Sequence, residues 1–378
     1  VRLLQLSKGD AAYPCVAGAE LPGWVLGASA ADTGLASGGD VTARLHEVVA
    51  QCGFSGQACM LALPSEHFQM DTVRLPVMAD GELLQSVQFE AADKFAVDST
   101  TSVVGHVRLG AATGGQQDIL IMALPRTIVE AAVSPVSAAG LGTMHLEHAA
   151  FAALRAVSRQ RDFEVADAVE AANYGLIHIE DRVATLIVVR EGQPILVRGI
   201  VGDWAPANTT MHRTGGGTAH ATQARRTAHG ADEAAIALEP DSVGAEGEPH
   251  THPSLRWCSL AEEALRCLRH LERSLNGWLP KRLVVTGPAA WDPQAVASME
   301  SVCGVQSELA VPIRMIHSPA PCVHGNPWVA TIGSAMAHLP SLKGAPPAAA
   351  ASDETAKPAA NTEADAKLPA TQLQGAAS

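Results

Sequence analysis

The side chains best placed for chemistry cluster at His145, Glu147 and His148. Two imidazoles three residues apart share a helical face and have the spacing of metal ligands. No third ligand stands at a recognisable distance, so the residues by themselves read as capping or surface histidines. A carboxylate at Glu147, in the first turn of a helix, would meet the positive end of the helix dipole. Gly215-Gly216-Gly217-Thr218 has the composition of a phosphate loop, but such a loop needs a buried strand before it and a helix after it to aim its amides. Neither flanks it. His250-x-His252 falls in the same stretch and reads as a solvated loop. No G-x-S-x-G elbow, H-E-x-x-H helix or Walker sequence occurs, which leaves the hydrolase and metalloprotease classes without support.

The composition narrows the classes further. A formal charge of -13 and a pI near 5.6, with no basic stripe, argue against a nucleic-acid surface. Seven scattered cysteines without a CxxC pair read as free, buried thiols in a reducing compartment. The absence of an apolar run of membrane-spanning length, and of a basic start followed by an apolar core, leads to a cytoplasmic expectation. Hydrophobic residues make up 47% of 378 positions while aromatics make up 4%, so the core must rest on small aliphatic side chains and close backbone approach.

The elements that would position such groups alternate in the manner of an α/β protein. Leu3 to Leu6 and Tyr13 to Ala19 flank the turn Lys8-Gly9-Asp10 as a hairpin. A helix follows Asp40, strands are expected at Ala58 to Leu63 and Thr72 to Leu75, and a helix starts near Asp80 with Leu83, Val87 and Ala91 inward. Val103 to Leu109 and Asp118 to Leu124 read as strands, with Pro125 opening the next helix. Tyr174 to Ile179, Val183 to Val189 and Pro194 to Ile200 form an antiparallel meander, because strands joined so tightly cannot be parallel. From about 206 to 253 the pattern dissolves into a flexible insertion, and 341 to 378 reads as a disordered tail. Between them stand a helix from Leu255 to Asn276, a strand from Arg282 to Thr286, and helices near Pro293 to Val302 and Asn326 to His338.

In this order the elements resemble the actin-like ATPase superfamily, and specifically the PilM family of type IV pilus assembly proteins. The segments that carry the resemblance begin with Val73-Arg74-Leu75-Pro76 followed by Glu82-Leu83 and Glu90 to Phe95. Asp118 to Pro125 with Ala138 to Leu141 and Leu146 to Ala150 is similar to the strand, helix and connecting helix that close the family's first lobe. The meander at 174 to 200 resembles the second phosphate hairpin, and Leu283 to Gly287 with Trp328 to Ala337 resembles the adenosine loop and closing helix.

The resemblance implies a bilobed actin-like (ribonuclease H-like) fold. A first lobe would span 1–160, with a small inserted subdomain at about 20–110, and a second lobe 161–340. It implies a first phosphate loop upstream of Val1, so the chain is expected to be N-terminally truncated. At the second hairpin His178 and Glu180 stand where the family has Asp and Gly, and at the adenosine loop Gly287 persists while Pro288 replaces a second glycine. A phosphate would meet the Glu180 carboxylate there instead of bare amides. Glu147 matches the position that orients attacking water. The resemblance therefore implies a scaffold with degraded loops and no cofactor, which binds an N-terminal peptide of a bitopic pilus assembly protein beside the small subdomain, contacts motor ATPases and reaches the inner membrane only through partners. The alternative is a working ATPase using ATP and Mg²⁺.

Overall fold

The computed structural model describes residues 1–9, 11–21, 38–98, 100–205, 253–317, 319, 323 and 326–342. The expected insertion at 206–253 and tail at 341–378 lie outside the described residues, apart from 253 and 341–342.

The chain opens with the expected hairpin, β1 (Arg2–Leu6) antiparallel to β2 (Tyr13–Glu20). Helix α1 (Gly38–Gln51) leads to β3 (Ala58–Leu63). Next comes a unit with its own core, β4 (Gln69–Pro76), α2 (Asp80–Phe95), β5 (Ser102–Thr113) and β6 (Gln116–Pro125), whose strands form an antiparallel sheet in the order β4-β6-β5. Helix α2 buries Leu83, Val87 and Ala91 against Val73, Leu75, Ile119 and Ile121, the face its 3.6-residue periodicity predicts. Helix α3 (Arg126–Ala138), capped by Pro125, returns the chain to β7 (Gly142–His148), which pairs in parallel with β3.

After α4 (Ala149–Glu164) and the short α5 (Ala168–Ala171) the chain builds a five-stranded sheet. The meander β8 (Tyr174–Ile179), β9 (Val183–Arg190) and β10 (Gln193–Val201) is antiparallel, as its tight turns require. Helix α6 (Pro253–Ser274) lays Trp257, Leu260, Ala264, Leu268 and Leu271 on one face of it. Then β11 (Arg282–Thr286) pairs in parallel with β8, and α7 (Pro293–Cys303) crosses to β12 (Gln306–Leu309), giving the order β10-β9-β8-β11-β12. A two-residue strand, β13 (Ile316–His317), joins β2 in parallel, and α8 (Val329–Ala335) packs against α4.

The core is built on alanine as the composition implies. Ala149, Ala150, Ala152, Ala153 and Ala156 of α4 are all buried, and a Cβ on Gly333 of α8 would lie 1.7 Å from the Ala152 carbonyl oxygen. Main chain touches main chain there, which only glycine allows.

Several expectations are corrected. Leu146 to His148 is the end of strand β7 and not the start of a helix, so Glu147 precedes α4 and lies outside its first turn. On a strand, positions 145 and 148 face opposite ways, and His145 is exposed while His148 is buried. The two imidazoles therefore share no face. Asn326 to Trp328 is a 3₁₀ turn and α8 stops at Ala335. The six described cysteines are free, but Cys52 is exposed and the others are half-buried. Among the described residues no helix is long and apolar enough to cross a membrane.

Candidate functional site between the loop after β3 and the β8–β9 turn

His178, Glu180 and Gly287 meet where the exits of β8 and β11 converge. Strand β8 is buried at all six positions, so it delivers His178, at 1% exposure, into the interior, and Glu180 just past its end keeps only 12% of its side chain exposed. Gly287 follows β11 at φ 110°, and a Cβ there would stand 2.3 Å from the Ile179 carbonyl oxygen. The two strand exits lie in contact, and only glycine permits it. Pro288 then opens a 3₁₀ turn, Pro288–Trp291, that sends Ala289 and Ala290 into the core.

Glu180 reaches across to the loop after β3. Its Oε2 accepts the backbone N–H of Ser65 at 2.8 Å, and Ser65 Oγ accepts the Thr185 hydroxyl at 3.1 Å. His178 Nε2 lies 3.8 Å from Glu180 Oε1, close enough to attract but too far for a hydrogen bond. Burial alone would raise the Glu180 pKa; His178 and the Ser65 N–H outweigh it and hold the carboxyl below its ordinary range. The group is an ionised carboxylate committed to a backbone donor.

His148 forms the neighbouring wall. Its Nδ1 accepts the Ala150 N–H and caps α4, and its ring packs 4.7 Å from Phe68 and 5.9 Å from Phe151, centroid to centroid. Burial lowers its pKa to about 4, so the ring is neutral at pH 7, as an acceptor at Nδ1 requires. Its Nε2 and both ring nitrogens of His178 have no hydrogen-bond partner among the described residues.

Glu147, on the other face of β7, is held elsewhere. Arg155 donates to both its oxygens, at 2.6 and 3.0 Å, Ser334 donates at 2.9 Å, and Arg155 also donates to the Gly333 carbonyl. These bonds tie β7 and α4 to α8. Among the described residues no group of three or more His, Cys, Asp or Glu side chains is arranged to hold a metal ion.

No family model and no curated protein matches the sequence. Solved structures do. The PilM–PilN type IV pilus biogenesis complex aligns at a TM-score of 0.61 and 15% identity, over 89% of this chain and 94% of that one. A Bacteroides thetaiotaomicron protein with an actin-like ATPase fold and unknown function aligns at 0.38 and 8%, over 83% and 94%. The ethanolamine utilization protein EutJ of Carboxydothermus hydrogenoformans aligns at 0.38 and 10%, over 89% of each chain. The fold is the actin-like one.

Of the residues that the resemblance marks for phosphate, adenosine and water, His178, Glu180 and Gly287 come together, and Glu147 does not join them. Sequence reasoning missed Ser65, Thr185 and Phe68. Ser65 is 115 positions from Glu180, and nothing local in Pro64-Ser65-Glu66 marks its amide as the carboxylate's partner. His148 was visible as a histidine, but its capping role appears only once β7 is seen to end there.

Proposed function

We propose that this chain is a scaffold of the actin-like kind in pilus or related secretion machinery, organised as lobes 1–160 and 161–340, with its nucleotide position plugged by its own side chains. The observation that carries the reading is the Glu180 carboxylate seated on the Ser65 amide, with Gly287 packed on Ile179 beside it. A triphosphate in an actin-like cleft needs backbone amides and space between the opposed loops. Here one amide already serves a largely enclosed carboxylate, and a phosphate arriving beside it would meet like charge. One such contact at partial burial costs on the order of 1–3 kcal/mol, roughly ten- to a hundredfold in affinity.

The likeness to PilM in the PilM–PilN complex supports a peptide-binding role, in which a short N-terminal segment of a bitopic inner-membrane protein docks beside the β4-β6-β5 unit and motor ATPases are further partners. Membrane association then comes through the partner, on the cytoplasmic face. Titration calorimetry with ATP and Mg²⁺ tests the central claim. No binding up to millimolar ATP is expected for the chain, and micromolar binding would return the ATPase alternative, with Glu147 as its water-orienting residue, to first place. The purified chain alone should leave liposomes unbound, and stable binding would contradict the partner-dependent attachment.

A further inference from the structure

The inserted sheet β4-β6-β5 has two apolar faces, and they belong to different cores. Strand alternation puts Val73, Leu75, Ile119 and Ile121 on one face, under α2. On the other face Met70 of β4 stands opposite Met122 of β6, and Leu120 of β6 stands opposite Val107 of β5, with Leu109 two residues further along. All five enter the same core cluster as Leu176 of β8, Ile187 of β9 and Val197 of β10. An antiparallel sheet covered on one side alone would keep a polar second face. This one is covered twice.

The second cover is the five-stranded sheet of the C-terminal half. Gly110 of β5, at φ 60°, stands where a Cβ would lie 3.1 Å from Ile195 Cγ2 of β10, and Met70 Cε lies 3.7 Å from the Cβ position of Gly199 on the same strand. Just ahead of the inserted sheet, Ser65 donates its amide to Glu180 and accepts from Thr185, and Glu66 lies 3.7 Å from Arg182. The roots of the sheet are in the N-terminal half. Phe68 at its entry and Leu124 at its exit pack with Leu63 of β3, Ala132 of α3 and Leu146 of β7. One unit is thus anchored by apolar packing in both halves.

We infer that the inserted sheet is a brace that fixes the angle between the two halves, so that they move as one body whatever the candidate site binds. Swinging one half against the other would pull apart the side chains packed across this joint. Close-packed joints of this kind do not bend smoothly, and hinges lie instead in segments that absorb a backbone change without losing packing. A chain so braced holds the surfaces of its two halves in one arrangement. The inference goes beyond the plugged site, because a plug can sit between halves that swing and an open site can lie between halves held fixed.

Double electron–electron resonance on the full chain reads the angle. p-Acetylphenylalanine at exposed His46 of α1 and Glu300 of α7 carries the two spin labels, and its ketone chemistry leaves the cysteines untouched. The chain should give one narrow distance distribution. Met70→Ser with Ile195→Ser, both half-buried positions at the joint, should broaden it at least about twofold. Phe95→Ser with Val104→Ser removes apolar surface from the α2 side of the same sheet and should leave it narrow. A broad or two-peaked distribution in the unsubstituted chain, or an unchanged width in the Met70 and Ile195 variant, would overturn the inference. If that variant does not fold by far-UV circular dichroism, Met70→Ala takes its place with the same expectation. ATP binding with a narrow width would sink the plug and spare the brace, and a broad width without ATP binding would do the opposite.

Discussion

Strands β1 and β9 each form an antiparallel hairpin with the strand that follows, and β3 and β11 each pair in parallel with a later strand, yet they are buried very differently. Six consecutive residues of β9 and the last four of β11 are buried, whereas β1 and β3 each bury only their last residue. The difference does not lie in residue type, because Arg2-Leu3-Leu4-Gln5-Leu6 and Ala58-Cys59-Met60-Leu61-Ala62-Leu63 are as apolar as Arg282-Leu283-Val284-Val285-Thr286. A strand becomes core when neighbours cover both its edges as well as both its faces. β9 and β11 have β8 between them, and β1 and β3 have a cavity.

The seam shared by the halves should show the largest effect. Helix α8 packs on β1 and β3 and on α4, and Gly333 is the point where its backbone touches Ala152. Gly333→Ala places a methyl where no atom fits, and the helices must separate. We expect a loss above about 3 kcal/mol by urea denaturation, felt as one transition. Two transitions would mean that the halves are stable apart.

Truncating leucines in the matching layers tests the comparison directly. Leu176→Ala, in fully buried β8, should cost about 3 kcal/mol, and Leu4→Ala, beside the cavity, about 1 kcal/mol. Equal losses would mean that the N-terminal layer is as tightly packed as the five-stranded sheet.

What the sequence disclosed follows the same division. The meander was legible because Glu180-Asp181-Arg182 and Glu191-Gly192 break three apolar runs at hairpin spacing, and α6 because its apolar residues recur every three or four positions. Strand β7 was not, because its partner β3 is some eighty positions away and Gly142-Thr143-Met144-His145-Leu146-Glu147-His148 alternates too weakly to exclude a helix. Four-residue β12, with Gln, Ser and Glu in it, has no strand signal of its own and is defined by its pairing with β11. At the site, the departures at Glu180 and Pro288 could be read locally, whereas the Ser65 amide that receives Glu180 could not.

Between pH 7 and 5 the pH dependence of stability is expected to localise to His148, the wall beside that contact. His148 is held neutral with a pKa of about 4, below the free value of 6.5, so between those values the unfolded chain binds more protons than the folded one. Stability therefore falls as pH drops, by about 2 kcal/mol between pH 7 and 5 from this residue. His67, also lowered by burial, acts in the same direction, while Glu180, held below its ordinary range, gives up its contribution only at lower pH. The groups whose charges act on His148 are Glu180, His178 and Glu147. His148→Asn keeps a capping acceptor but does not titrate, so it should flatten most of this slope in thermal melts from pH 5 to 7. An unchanged slope would assign the titration to another residue.

The smallest effect separates the two readings of Glu147. As a water-orienting base it would matter to hydrolysis and little to stability. Its contacts argue the reverse, since both oxygens take Arg155 and one also takes Ser334, so the carboxylate is already committed to a cation and a hydroxyl before any water arrives. Glu147→Gln keeps the shape and one acceptor but leaves Arg155 without its counter-charge. A fully buried pair broken this way loses several kcal/mol, but Arg155 is 28% exposed and water recovers much of that. We expect a loss of about 1 kcal/mol, read as a lower urea midpoint with unchanged slope, and ATP turnover equal to that of the unsubstituted chain. The opposite pattern, unchanged stability with turnover abolished, would make Glu147 catalytic and would reopen the cleft that Glu180 closes in the scaffold reading.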